Sequence, residues 1–242
     1  MTKTTPSEAL KKLGSDYWES MLRASPQSAT FYGDPRYNHK LDEYGPQARE
    51  RLVSLHQDCL KRLKSISEDS LIDRDKLSYK ILLRLVTEFL EGQKFCDWEW
   101  GLDHIFGPHI HWMGLTEIHP LKTLKDFEDL LSRYREIPKV MDQYLSDLAE
   151  GMRSGRVAPS VAYDRVVLQL EGFCKTKSDA SPFLKVLKRF PEDFKKSDKR
   201  RFEKNFEQAL SCDIEPAYRK FHDFLTKHYR PYARKTAGIK FM

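Results

Sequence analysis

The spacing of apolar residues constrains this chain more than any other feature. They recur every three or four positions along almost every long segment, the period of one helix face. The first stripe is Ala9, Leu10, Leu13, Tyr17, Trp18, Met21 and Leu22, opened by Thr5 and Glu8 at capping-box spacing with Pro6 at the first helical position, and closed by Pro26. A second stripe runs Ala48, Leu52, Leu55, Cys59, Leu63 and Ile66, and a third Leu77, Ile81, Leu85 and Phe89. A fourth begins after Thr123, with Asp126 three residues on, and passes Phe127, Leu130, Leu131, Tyr134 and Ile137. Pro138 is expected to kink or split it before Val140, Met141, Tyr144, Leu145 and Leu148. Further helices are expected from Val161 to Phe173, after Ser181-Pro182, from Ser197 through Phe202 and Phe206, and from about Asp213 to Ala233. No stretch alternates apolar and polar residues long enough to read as a strand, and nothing repeats at a fixed period. The expected class is all-α, an irregular multi-helix single domain over residues 1–242.

Composition narrows the function classes. With 40% apolar and 32% charged residues the chain can bury a core beneath a solvated surface, which sets it apart from disordered sequences. Its apolar runs are scraps such as Ile81-Leu82-Leu83, too short to cross a bilayer, and the first residues lack the apolar core of a secretory leader. A cytoplasmic protein with no membrane partner is expected. Cys59, Cys96, Cys174 and Cys212 lie far apart without a C-x-x-C, so they are expected to be reduced thiols packed as small hydrophobes. The net charge is +6, and residues 185–204, with nine Lys or Arg and four acids, supply +5 of it. Because the acids are interleaved and no aromatic stacking platform accompanies them, a solvated helix pair is preferred there to a nucleic-acid site.

Two segments break the helical period, residues 25–46 and 101–120, both rich in turn formers and expected to be long loops of the kind that often carry function. The second holds His104, His109, His111 and His119, with Asp103 and Glu117 nearby. On an extended backbone His109 and His111 point to the same side, as two metal ligands must, and His104 or His119 would complete a zinc site. The structural alternative, preferred on spacing alone, has these histidines satisfying buried backbone groups beneath an aromatic plug of Trp98, Trp100, Phe106 and Trp112. Apart from zinc at this cluster no cofactor is expected. The zinc-peptidase helix with two His at i and i+4, the serine-hydrolase elbow and the phosphate loop are all missing. Asp34 and Arg36 read as an ion pair fixing a turn, or as ligand-facing groups. Tyr229 and Arg234 read as a core aromatic and a charge suited to a helix C-terminus, or as cleft lining.

The run Pro26, Ala29-Thr30, Gly33-Asp34, Arg36, Asn38 and Leu41 resembles the P-x-x-A-T-x-x-G-D-x-R-x-N opening of the bacterial domain-of-unknown-function family eight-eight-five. Asp75, Leu77 and Tyr79 resemble its D-x-L-x-Y helix start, and Gly107-Pro108, Pro120 and Thr123 its G-P loop and following P-x-x-T. Tyr144, Leu145, Gly151, Arg153, Gly155 and Pro159 resemble its central glycine stretch. Ser181-Pro182, Pro216-Ala217-Tyr218, Phe224-Leu225, Tyr229, Pro231, Ala233-Arg234 and Gly238 resemble the end of its N-terminal half. The resemblance implies a mostly helical body divided by a cleft, in a family whose members look like zinc metallopeptidases with their zinc-binding helix in the C-terminal half. The chain stops at Met242, ahead of that half, so the resemblance implies a scaffold or cleft wall without hydrolase activity of its own. Self-association, or a catalytic partner half, would then cover the exposed face. The alternative is a ligand- or partner-binding protein using the two loops, with Asp34, Arg36, Asn38, Trp112, Tyr229 and Arg234 as candidate contacts.

Overall fold

A computed structural model describes residues 4–238, and helices account for the large majority of them. They are α1 (Pro6–Ala24), α2 (Pro26–Phe31), α3 (Pro46–Lys64), α4 (Asp73–Gly92), α5 (Pro108–Met113), α6 (Leu115–Ile118), α7 (Leu124–Ser154), α8 (Ser160–Lys175), α9 (Lys196–Ala209) and α10 (Glu215–Phe224). Among the described residues there is no strand, only one isolated bridge between Pro159 and Arg234, so the all-α expectation holds. The expected capping box of Thr5 with Glu8 starts α1, and Thr123 with Asp126, at the expected start of α7, forms a second, each satisfying two otherwise orphaned N–H groups.

The chain forms two compact units, each assembled from separated stretches. The first contains residues up to Ser25 and Tyr44–Asp97, and so α1, α3 and α4. Its core is Leu10, Leu13, Cys59, Leu63, Leu71, Tyr79 and Val86, with Tyr17, Leu60, Leu82, Leu83 and Leu90 packed against it. His56 stacks on Phe89 at 3.6 Å between centroids. Its Nδ1 donates to the Leu52 carbonyl, and because burial lowers its pKa the ring is neutral at ordinary pH and its Nε2 accepts from the Tyr17 hydroxyl. Asp16 joins α1 to α3 through Arg62 at 2.6 Å.

Three of the four residues of the third apolar stripe turn out to face outward, while Phe89 stacks on His56. α4 forms as expected, but Leu77, Ile81 and Leu85 are exposed while Tyr79 and Val86 enter the core. The helix is apolar on two faces, and spacing alone could not say which one is buried.

The second unit contains Pro26–Glu43 and everything from Trp98 onward. Its centre is α7, which runs unsplit through Pro138 and buries Phe127, Leu130, Tyr134, Ile137, Met141, Tyr144 and Leu148 along one face. Phe127 stacks on Phe190 and packs edge-on against Phe194 and at a tilt against Phe202, so residues 185–204 cover the core with aromatics while their cations stay outside. From Lys196 to Tyr232 the backbone is one continuous helical run rather than the two helices expected. Two π turns, Leu210–Ile214 and Leu225–Tyr229, interrupt its α geometry. Pro216 follows the first of them, where it cannot donate an α-helical hydrogen bond.

The segments expected to be loops also differ. Residues 25–46 contain α2 and a 3-10 turn over Pro35–Tyr37, and residues 101–120 contain α5 and α6. Both helices beyond α2 are six residues or fewer, too short to show a periodic stripe in the sequence. The four cysteines are free thiols, but only Cys59 is buried and Cys212 is exposed, so the small-hydrophobe reading fails for Cys212. Among the described residues no helix is long and apolar enough to cross a membrane.

Candidate functional site

The second unit is organised around a fully buried arginine, Arg133, on the apolar face of α7. Its Nε donates to the Lys40 carbonyl at 2.8 Å and its Nη1 to His119 Nδ1 at 3.0 Å. Nη2 reaches the Pro26 carbonyl at 3.1 Å, the Thr30 hydroxyl at 2.5 Å and the Tyr37 carbonyl at 3.5 Å. The Thr30 hydroxyl accepts from the arginine and donates to Asn38 Oδ1 at 2.7 Å. The two irregular segments therefore do converge, and they converge on a guanidinium. Burial pulls Arg133 down to about 10, opposed by the nearby charges of Asp42, Asp129 and Glu136, so it remains a cation at neutral pH. Glu136 also accepts from the Leu41 N–H at 3.0 Å, and Gln27 and Asp42 bond each other's backbone N–H groups.

His119 is locked into one tautomer. Arginine can only donate, so Nδ1 is the acceptor and Nε2–H donates to the Asp126 carbonyl at 2.7 Å. Burial, with Arg133 alongside, lowers its pKa to about 4. His109 is likewise buried and lowered to about 4, burial being the largest cause. Gln169 donates its amide to the His104 carbonyl at 2.8 Å, which turns its Oε1 toward His109 Nε2 at 3.1 Å. His109 Nδ1 is then a buried acceptor with no hydrogen-bond donor facing it. The Tyr218 hydroxyl donates to the His109 carbonyl at 2.6 Å.

This geometry overturns the same-side argument for a metal. His109 and His111 lie in α5, where a two-residue step turns about 200° around the axis, so His109 is buried and His111 exposed. His104 accepts from Arg165 at 2.7 Å through Nε2, and both nitrogens of His119 are already engaged. Among the described residues no three His, Cys, Asp or Glu side chains form a group able to hold a metal ion. The four histidines do not fit the zinc that the cluster suggested.

Of the other candidate contacts, Asp34, Tyr229 and Arg234 hold backbone. Asp34 accepts from the Arg36 N–H and guanidinium at the 3-10 turn, with Arg36 holding its carboxyl below the usual range. Asn38 sits on Thr30, and Trp112 is fully buried one turn from His109. Tyr229 and Arg234 both grip the link between α7 and α8. The Ala158 N–H donates to the Tyr229 hydroxyl oxygen at 2.7 Å, and Arg234 Nε donates to the Val157 carbonyl at 2.6 Å. Gly155 ends α7 in the left-handed region, at φ 81°. Gly151 has no room for a side chain, because a Cβ would strike the Glu99 carbonyl. Glu99 is itself buried, bound by Ser154 and by Arg156 at 2.9 Å.

Sequence reasoning missed Arg133, Gln169 and Glu99. Arg133 left a signal: it falls three residues after Leu130 and four before Ile137, in the middle of an apolar stripe. Gln169 and Glu99 left none, since their roles depend on distant partners.

The bacterial family of proteins of unknown function DUF885 matches residues 26–241. The chain belongs to this family. Among curated proteins none matches. The fold is similar to the crystal structure of a candidate lipoprotein from Colwellia psychrerythraea, with TM-score 0.88 at 17% identity, over 98% of this chain and 43% of that one. It is also similar to a candidate lipoprotein of unknown function from Shewanella oneidensis, with TM-score 0.65 at 16% identity, over 93% of this chain and 39% of that one. This DUF885 chain thus spans less than half the length of either solved protein, and at such identities the likeness is one of fold. In it Pro26 and Thr30 accept from Arg133, and Asn38 accepts from Thr30 behind them.

Proposed function

We propose that this chain is a non-catalytic helical scaffold, the counterpart of the N-terminal part of a longer metallopeptidase-like DUF885 protein. The observation that carries the proposal is that the signature residues with resolved partners bind other groups of the chain: Pro26, Thr30 and Asn38 in the buried cradle, and Asp34 with Arg36 at an exposed turn. Pro26 and Thr30 accept from Arg133, Asn38 accepts from Thr30, and Tyr229 and Arg234 hold the backbone of residues 157 and 158, so these groups bind the chain itself, as a scaffold requires. The coverage supports the same reading, since 98% of this chain corresponds to 43% of the Colwellia protein. A ligand-binding role for residues 25–46 and 101–120 would use the same convergence, but its meeting point is filled by Arg133.

The test combines equilibrium dialysis against zinc with a peptide-hydrolysis panel on the purified full chain. Zinc well below one ion per chain and no turnover above the buffer rate are expected. Stoichiometric zinc that is lost in a His109→Ala, His111→Ala variant, or turnover abolished by chelation, would overturn the scaffold reading.

A further inference from the structure

α4 carries an unpartnered apolar stripe whose layout identifies what covers it. Leu77, Ile81 and Leu85 are 61%, 52% and 53% exposed, although the opposite side of the same helix supplies Tyr79 and Val86 to the core. Helices that are apolar on two sides are normally covered on both. The stripe is symmetric about its midpoint. Leu77 and Leu85 stand four residues either side of Ile81, and Arg74 and Glu88 stand seven residues either side. Steps of four and seven return to nearly the same helix face, so these five residues lie along one line about 21 Å long. All five are exposed.

We infer that α4 is the interface of an antiparallel two-fold dimer of this chain, with the axis at Ile81. In that arrangement Leu77 of one copy meets Leu85 of the other, Ile81 meets itself, and Arg74 meets Glu88 at both ends, the self-complementarity that a two-fold contact requires. A parallel pairing would set Arg74 against Arg74. A lipid surface would favour cations at both ends of the stripe, and here one end is an acid. Among the described residues Glu88 pairs with the exposed Arg84 one turn away, at 2.7 Å, and it can accept the incoming Arg74 as well. One helix pair buries less than the roughly 1,200 Å² of a standard interface, so the dimer is reversible and weak. The inference rests on α4 alone and stands apart from the scaffold reading.

Sedimentation equilibrium of the full chain over a wide concentration range tests it. A reversible monomer–dimer equilibrium in the micromolar to sub-millimolar range is expected. Ile81→Lys puts two ammonium groups on the axis and abolishes the dimer. Arg74→Glu or Glu88→Arg alone weakens it roughly two- to thirtyfold, two exposed pairs being lost at once. The double variant Arg74→Glu, Glu88→Arg restores it, because each reversed charge meets its reversed partner. Circular dichroism confirms that every variant folds, and the restoration is a gain that misfolding cannot imitate. A chain that stays monomeric to its solubility limit overturns the inference. So does a dimer indifferent to Ile81→Lys, or a double variant no tighter than the single ones.

Discussion

The groups in hydrogen-bond reach of Arg133 carry no formal charge: three carbonyls, a hydroxyl and the Nδ1 of a neutral imidazole. Such a cradle engages all three nitrogens of the guanidinium fork, which the single nitrogen of an ammonium cannot do. Arg133→Met leaves several buried acceptors unsatisfied and is expected to cost on the order of 3–5 kcal/mol in denaturant titration. Arg133→Lys should recover less than half of that. A loss under about 1 kcal/mol for Arg133→Met would show that the cradle contributes little to stability. Two buried histidines, only one of them bonded to Arg133, shape the acid limb of the stability curve. His109 and His119 titrate near 4 in the folded chain against an ordinary value of 6.5, so between those values the unfolded chain binds more protons. Their contribution is complete above pH 6.5 and is lost progressively as the pH falls to about 4, by roughly 3 kcal/mol for each ring. His119→Gln can still accept from Arg133 and donate to the Asp126 carbonyl but does not titrate. It should flatten the pH 4–6.5 slope of the unfolding free energy by about half. An unchanged slope would mean that His119 binds its proton as readily in the folded chain as in the unfolded one.

At the level of elements, a sharp test is the crossing of α7 over the Glu99 backbone. Gly151→Ala forces a methyl group into that carbonyl and should destabilise the chain by about 1–3 kcal/mol in thermal or chemical unfolding. Gly172→Ala, with open space around it, should cost nothing and gain some helix propensity. Equal effects at the two glycines would remove the close approach as the explanation. These elements also show what the sequence could disclose. The long helices with chemical start signals, Thr5 with Glu8 and Thr123 with Asp126, were legible because capping and period agree. α5 and α6 were not, since six and four residues make no period, and reading them as extended put His109 and His111 on one side when helical geometry separates them. α4 was legible as a helix and illegible in facing, because a two-faced apolar pattern does not name its core side. The π turns left a weaker trace, a one-residue shift of the apolar line between Ala209 and Leu210.

At the scale of the molecule, the interleaving of the two units makes its own prediction. Residues Pro26–Glu43 are inserted between stretches of the first unit yet belong to the second. There they supply the cradle of Arg133, the Leu41 N–H for Glu136 and Glu43 for Lys139 at 2.7 Å. A fragment of residues 98–242 therefore keeps α7 to α10 and their aromatic core but leaves Arg133 buried without most of its acceptors. It should be soluble and helical yet melt well below the full chain. A synthetic peptide of residues 26–43 should raise its melting temperature in a saturable way, because a ligand that binds only the folded form stabilises it by mass action. The peptide carrying Thr30→Val, which lacks the hydroxyl that bridges Arg133 and Asn38, should need a markedly higher concentration for the same rise. If both peptides act alike, the inserted segment binds by its apolar residues, Ala29 and Leu41 among them, and the guanidinium cradle follows from that packing. If the parent peptide acts and Thr30→Val does not, the family signature is an arginine-binding motif read within one chain.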